Sequence, residues 1–398
     1  MFLSLFLIFI GGISIGTIFQ KIKLPKLIWF IILGIITGPK VLKIIDSSLL
    51  NISSYLRQIA LIIIITRSGL SLDINNLKKI GRPAILMCFL PACFEIAGIT
   101  IFSPIVLDIS YTESLLMGSV LAAVSPAVVV PRMIKLIEDG YGKKNSVPEL
   151  VLAGSSCDDI FVIVLFNSFK KLVAKNSFSF KTIIQIPISI VTGIILGFAI
   201  GFLIVLIIRK IKFDNITNVI LILGISFGMI DVEEELKKYF SVSALLGIIV
   251  MSLIIHIFQQ DEAPEIQSHY NSLWVCFEIL LFSLVGCATD INYAFSKNGA
   301  IIIGLVFIGL VFRSIGVIIC IIKTEFTFKE RIYIIIAYLP KATVQASIGG
   351  IALNEGLDCG KIVLTAAVIS IIITAPLGAI LMDRLYDKLL SKDEEEVV

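Results

Sequence analysis

The sequence predicts an all-α polytopic membrane protein. Apolar runs of bilayer-crossing length recur from end to end, and 57% of the 398 residues are hydrophobic against 16% charged, for a mean hydropathy of +1.02. Strongly basic connections also fall on alternate sides of those runs.

At roughly twenty apolar residues per crossing, the chain divides into about thirteen segments. The first, Leu3 to Gln20, lacks a basic leader and a small-residue cleavage site and reads as a retained span, not a signal peptide. Pro25 to Gly38, Ser53 to Leu70, Pro83 to Leu107, Thr112 to Ile137 and Val147 to Phe169 follow. Thr182 to Arg209 is a long seventh span, and Ile216 to Met229, Tyr239 to Phe258 and Ser268 to Cys287 come next. Gly299 to Ile322, Ile332 to Leu353 and Ile362 to Leu381 complete the set.

Charge sets the orientation. Lys21, Lys23 and Lys26, then Arg67, Lys78, Lys79 and Arg82, then Arg132, Lys135, Lys143 and Lys144 occupy alternate connections, which the positive-inside rule assigns to the cytoplasm. Arg209, Lys210 and Lys212, and Lys323, Lys329 and Arg331, fall on the same side, whereas Lys170, Lys171, Lys175 and Lys181 oppose it. The N-terminus is therefore expected outside. An odd number of spans puts the solvated acidic tail, 385–398 with Asp393 to Glu396, in the cytoplasm. A bacterial cell (inner) membrane is the expected location.

Several classes are excluded. A net charge of +3, dispersed, offers nothing to nucleic acid. The seven cysteines form no C-x-x-C pair, and no G-x-G-x-x-G, P-loop or H-E-x-x-H occurs, so nucleotide-driven pumping and metalloprotease chemistry lack their equipment. Neither an enzymatic activity nor a cofactor is expected.

The chain echoes itself. Gly69-Leu70-Ser71-Leu72-Asp73-Ile74-Asn75 closes the third segment as Gly286-Cys287-Ala288-Thr289-Asp290-Ile291-Asn292 closes the tenth. The next span holds one buried charge in each copy, Glu95 or Arg313, and the span after that is broken by proline, at Ser125-Pro126 or Leu339-Pro340. If spans one to six repeat as eight to thirteen, the odd number between them inverts the second copy, the plan of secondary transporters. The expected units are panel helices in 1–80 and 214–296, core helices in 81–172 and 297–384, and a linker helix in 173–213. Gly193, Gly197 and Gly201 on that linker form a small-x-x-x-small stripe suited to another helix or a second subunit.

Three groups of residues carry the expected chemistry. Cys157-Asp158-Asp159 places two carboxylates in an otherwise apolar span, where function is the default explanation of their cost. About 100° apart on a helix, both can border one polar cavity. Carboxylates with backbone carbonyls suit hard cations such as Na⁺ or Li⁺, and two adjacent buried carboxylates resist ionising together, so a proton and a metal ion compete for the site. The second group is the pair of helix breaks. Val124-Ser125-Pro126-Ala127-Val128-Val129-Val130-Pro131 is one, and Leu339-Pro340-Lys341-Ala342-Thr343-Val344-Gln345-Ala346 is its counterpart. Lys341 is expected to neutralise carbonyl ends there and Ser125 to cap amide ends. The third group is Glu95 and Arg313, each needing a partner: they pair with each other, or Arg313 holds Asp158. His256 near a span end, His269 in a polar loop and the solvated run Glu233-Glu234-Glu235 are weaker candidates, and Asp73 and Asp290 read as helix-end caps.

These motifs resemble the cation:proton antiporter superfamily, specifically the NHA-type sodium/proton antiporters of its second family. The resemblance rests on Val124 to Pro131, Ser156-Cys157-Asp158-Asp159 and Leu339 to Ala346, and it covers nearly the whole chain. It implies an NhaA-like antiporter fold with a dimerisation domain and a six-helix core holding two crossed, broken helices, assembled as a homodimer in the lipid bilayer. It further implies that Asp159 is the principal carrier of cation and proton, assisted by Asp158, and that Arg313 stands where many relatives have a lysine. Glu95 is similar to the acid that balances this arginine. Ionised, Asp158, Asp159, Glu95, Arg313 and Lys341 leave one net negative charge, which one Na⁺ or one H⁺ cancels. The expected activity is thus Na⁺ (or Li⁺)/H⁺ antiport by alternating access at one to one. Alternatives are K⁺/H⁺ antiport, a cation channel or a sodium-coupled solute symporter.

Overall fold

The computed structural model describes residues 1–22, 24–72, 80–142, 144–174, 180–236 and 242–392. Asp73, Ile74 and Asn75 of the first echo, Lys23, Lys78, Lys79, Lys143 and Lys175 of the connections, and the acidic tail from Asp393 onward lie outside the described residues.

Among the described residues there are helices and no strands. In order they are α1 (Phe2–Lys21), α2 (Lys26–Thr37), α3 (Ser47–Asn51), α4 (Ser53–Ser71), α5 (Arg82–Met87) and α6 (Leu90–Leu107). Next come α7 (Tyr111–Leu121), α8 (Pro126–Glu138), α9 (Val147–Ala174), α10 (Phe180–Ile211), α11 (Asn215–Leu236), α12 (Ala244–Phe258) and α13 (Ala263–Ala288). The chain continues as α14 (Ile291–Ala294), α15 (Lys297–Cys320), α16 (Phe328–Ala337), α17 (Thr343–Ile348), α18 (Ile351–Asn354) and α19 (Gly360–Leu389).

Eight helical stretches among the described residues are long and apolar enough to cross a membrane. α2 and α12 are apolar but shorter. The other expected spans coincide with α4, α9 and the interrupted α16–α18.

Local sequence sets the start of both interrupted spans. Ser110 accepts a hydrogen bond from the Glu113 amide while Glu113 accepts one from the Ser110 amide, a capping box that opens α7. Thr327 and Glu330 do the same for α16. The two boxes stand at the same interval as Gly69 and Gly286, a further element of the echo. α7 stops at Leu121 because the proline at 126 has no amide to continue the ladder, and the helix restarts there as α8. α16 stops at Ala337 ahead of Pro340, and α17 starts at Thr343.

The breaks touch. The Ser125 amide donates to the Pro340 carbonyl at 2.8 Å, and the Gln345 side-chain amide donates to the Ala123 carbonyl at 2.8 Å. Carbonyls and amides freed by the interruptions are thereby satisfied inside protein, the only setting at membrane depth that tolerates them. Gly378 on α19 leaves room for the Pro340 ring.

Packing follows small residues. Gly34 of α2 and Gly286 of α13 let those helices approach backbone to backbone. α13 also packs on α4, α4 on α12 and α12 on α10, while α15 packs on α6, α6 on α7, and α9 on both α7 and α8. Outward faces of α1 and α10, including Phe6, Ile195, Phe198 and Leu203, are exposed and apolar, as lipid contact requires.

The structure decides one alternative and changes three expectations. Of the two partners expected for the Gly193, Gly197 and Gly201 stripe, it is another helix that covers it, through Ser243, Gly247 and Met251 of the α12 segment. α11 runs to Leu236, which makes the acidic run helical, with Glu233 accepting from the Ala244 amide at 2.8 Å. His269 lies in α13, not in a loop, because α13 begins at Ala263 behind Pro264. α19 continues to Leu389, well past Leu381 and into the region expected to be tail.

Candidate functional site

Four buried charges meet where the breaks touch. Arg313 on α15 is fully buried, and its guanidinium is shared among four acceptors. Nε donates to the Tyr338 carbonyl at 2.8 Å, Nη1 to Glu95 Oε2 at 3.0 Å and to the Ala122 carbonyl, and Nη2 to Asp158 Oδ2 at 2.8 Å. The Tyr338 ring lies 5.3 Å from the guanidinium carbon. Arg313 therefore binds one end carbonyl from each interrupted helix, Ala122 and Tyr338, and both carboxylates that sequence reasoning left as alternatives. A planar five-donor fork can do this where an ammonium cannot.

Lys341 corrects an expectation. Its ammonium does not neutralise carbonyl ends; Nζ donates to Glu95 Oε2 at 2.5 Å, the same oxygen Arg313 uses. Desolvation explains the preference, since a buried carboxylate compensates an ammonium better than a carbonyl dipole does. The Lys341 amide is held instead by Thr374 Oγ1 at 2.9 Å. Ser125 likewise does not cap α8: its hydroxyl is buried with no partner among the described residues, and only its backbone is engaged.

The two aspartates are unlike. Asp158 Oδ2 accepts from Arg313 and from the Val124 amide, each at 2.8 Å. Asp159 Oδ1 has no hydrogen-bond partner among the described residues, and Asp159 lines a cavity of about 450 Å³. Thr343, whose buried hydroxyl is also unpartnered, lines the same cavity beside Pro126 and Ala127. A carboxylate and a hydroxyl are the oxygen donors a hard monovalent cation takes. The remaining lining includes Ser71, Ile137, Glu149 and Gln267, at the end of α4, the end of α8, the start of α9 and the start of α13, so the cavity runs to one end of the bundle. At the opposite end a cavity of about 260 Å³ is lined by Arg57, Asn167, Ser347 and Asn354 but not by Asp159, and Arg57 is bonded to Asn354 at 2.9 Å.

Of the residues read from sequence, Asp158, Glu95, Arg313 and Lys341 form one bonded cluster, Val124 joins it through its amide, the Pro340 carbonyl accepts from the Ser125 amide across the two breaks, and Asp159 and Thr343 face the cavity. Pro131 lies within α8, away from the break, and lines a different cavity with Arg132. Asp290 caps α14 by accepting from the Tyr293 amide at 3.1 Å. Sequence reasoning missed Gln345, Thr374 and Tyr338. Gln345 and Tyr338 sit in or beside the second break motif and were open to notice; Thr374 has no local signal.

Fold and site together define a polytopic, all-helical membrane protein whose buried charges meet at two touching helix breaks. The profile of a family described as sodium/hydrogen exchanger, transmembrane, matches residues 5–384. Sodium/hydrogen exchanger 9B2 of Mus musculus is 30% identical over 408 residues, covering 98% of this chain and 74% of the mouse protein. The human 9B2 and 9B1 exchangers are 31% and 32% identical, covering 86% and 85% of this chain but 65% and 67% of their own length. The chain thus spans about two thirds of the human relatives it matches. Among solved structures, the sodium proton antiporter MjNhaP1 from Methanocaldococcus jannaschii at pH 8 superposes with a TM-score of 0.83 over 97% of each chain at 21% identity, a likeness of fold. The chain belongs to the sodium/hydrogen exchanger family, a family of transporters.

Proposed function

We propose that this chain exchanges Na⁺ (or Li⁺) for H⁺ by alternating access, one cation for one proton, with Asp159 as the carrying group and Asp158 as its positioned neighbour. One observation carries the reading. Asp158, Glu95, Arg313 and Lys341 cancel one another in a bonded cluster, which leaves Asp159 as the uncompensated charge, facing a cavity. A proton or a monovalent cation on Asp159 returns the core to neutrality, and a neutral core crosses the membrane without the charging cost that an unloaded one bears. Among the described residues, Asp159 lines the cavity at one end of the bundle and not the one at the other, which supports alternation. Membership in the family and the names of the relatives support the substrates.

The finer organisation belongs to the same proposal: about thirteen spans, with core helices in 81–172 and 297–384 moving against panels in 1–80 and 214–296, linked by 173–213. We place the N-terminus outside and the C-terminus in the cytoplasm of a bacterial cell membrane, in a homodimer that needs no cofactor. The basic residues Arg132 and Lys135, at the end where the cavity opens, support that orientation.

The test is antiport in proteoliposomes, followed by lumenal pH after pulses of Na⁺, Li⁺ or K⁺. Exchange with Na⁺ or Li⁺ that disappears in Asp159→Asn and is indifferent to an imposed membrane potential is expected. Undiminished exchange in Asp159→Asn removes Asp159 from the mechanism; strong voltage dependence removes the one-to-one count.

A further inference from the structure

The cavity that reaches Asp159 presents a difficulty for any cation approaching it. Arg67 of α4 lines it, and no ion pair to Arg67 occurs among the described residues. Glu278, the acid whose charge reaches Arg67 from α13, is held by Lys26 at 3.3 Å and lines a separate cavity. A guanidinium on the approach repels Na⁺.

The wall of the cavity also carries a remedy. Besides Arg67 and Asp159, a single further charged residue lines it, Glu149 in the first turn of α9. One carboxylate oxygen of Glu149, Oε2, is buried without a hydrogen-bond partner among the described residues. Glu149, Leu152, Ala153 and Asp159 all line the cavity from α9, so Glu149 and Asp159 share one helical face. At about 1.5 Å per residue, Glu149 stands roughly 15 Å along the axis from Asp159, at the mouth.

Building on the proposed exchange reaction, we infer that Glu149 is a cation-recruiting residue: it offsets Arg67 at the mouth of the cavity and draws the alkali cation in toward Asp159. It holds no cation in the loaded core, so its effect falls on capture and not on translocation. Charge-lined clefts raise local counter-ion concentration, and the effect fades with ionic strength.

The experiment measures Na⁺-dependent antiport in proteoliposomes at about 10 mM and about 0.3 M choline chloride, salt levels at which the Debye length is long and short respectively. Glu149→Gln is expected to raise the KM for Na⁺ about three- to tenfold at low salt while the maximal rate stays within about twofold, as slower capture of the cation requires. Arg67→Gln is expected to lower KM by a similar factor, the double variant to return near wild type, and Glu149→Asp to keep the wild-type KM. At high salt the differences shrink toward one. An unchanged KM in Glu149→Gln, a KM shift that salt leaves intact, or a raised KM in Arg67→Gln overturns the inference. A loss of maximal rate in both Glu149→Gln and Glu149→Asp assigns the residue a structural role and overturns it too. Failure of the wild type to exchange Na⁺ would instead sink the proposed function, leaving the two readings distinguishable.

Discussion

Glu95→Gln isolates what the buried cluster contributes. Glu95 Oε2 accepts from both Arg313, at 3.0 Å, and Lys341, at 2.5 Å, and Glu95 is the acid that holds Lys341. Glutamine keeps the shape but removes the charge, so two buried cations would face Asp158 alone. Breaking a buried ion pair from one side costs about 3–5 kcal/mol, because the remaining charge is left uncompensated at low dielectric. At roughly 2 °C per kcal/mol for a chain of this size, the melting temperature in detergent should fall by roughly 6–10 °C. Lys341→Met in the same chain removes the orphaned ammonium and should recover about half of that loss. Asp159→Asn is the control, since no hydrogen bond or ion pair of Asp159 Oδ1 exists to be broken among the described residues and the substitution removes an uncompensated charge, so its melting should not fall below that of wild type. Fluorescence-detected size exclusion after graded heating reads all four proteins. A Glu95→Gln variant that melts like wild type, or a double variant no better than the single, would refute the view that Glu95 compensates both cations.

Further outcomes follow from the same geometry. A Cβ at Gly197 would stand 2.8 Å from the Val250 Cβ and 2.9 Å from the Gly247 Cα, so Gly197→Leu should force α10 from α12 and cost about 1–3 kcal/mol, visible as a lower melting temperature, whereas Gly224→Ala, within α11 with nothing near, should not lower it. In the connection after α13, the hydrogen bond from Lys361, at 2.8 Å, and that from the Tyr293 amide hold the Asp290 carboxyl below the usual carboxylate range. A group with a depressed folded pKa stabilises above its unfolded value, near 3.9, and loses that contribution as pH falls through the folded value. Melting followed from pH 5 down to pH 2.5 should therefore converge for wild type and Lys361→Met at the acid end, and equal separation throughout would contradict the pairing. Addition of Na⁺ should raise the melting temperature of the wild type in proportion to the logarithm of its concentration and leave Asp159→Asn unmoved; equal stabilisation of both would place the cation elsewhere.

How far a sequence can be read depended on whether the cause was local. Proline without an amide ends a helix wherever it falls, so Pro126 and Pro340 announced both breaks. A charge in an apolar span needs compensation, so Asp158, Glu95 and Arg313 announced themselves as a set. The glycine stripe on α10 announced close packing but not its partner, because a small-residue stripe states how near a neighbour can come and not which neighbour it is. His269 and Glu233 read as loop residues, since polar residues at helix ends resemble loops until the neighbours that bury or bond them are known.

Hydropathy places the chain in a membrane, proline chemistry interrupts two of its spans, and the cost of buried charge forces a few acids and bases to meet, and all three can be read from the order of residues alone. Who meets whom is settled by how the helices pack. Arg313 binds Glu95 and Asp158 at once, Lys341 turns to Glu95, and Asp159 is left to the cavity, because those outcomes rest on distances between helices far apart in the chain. Coulomb energy and desolvation change over a few ångströms, and spacing along a sequence carries no record of that length.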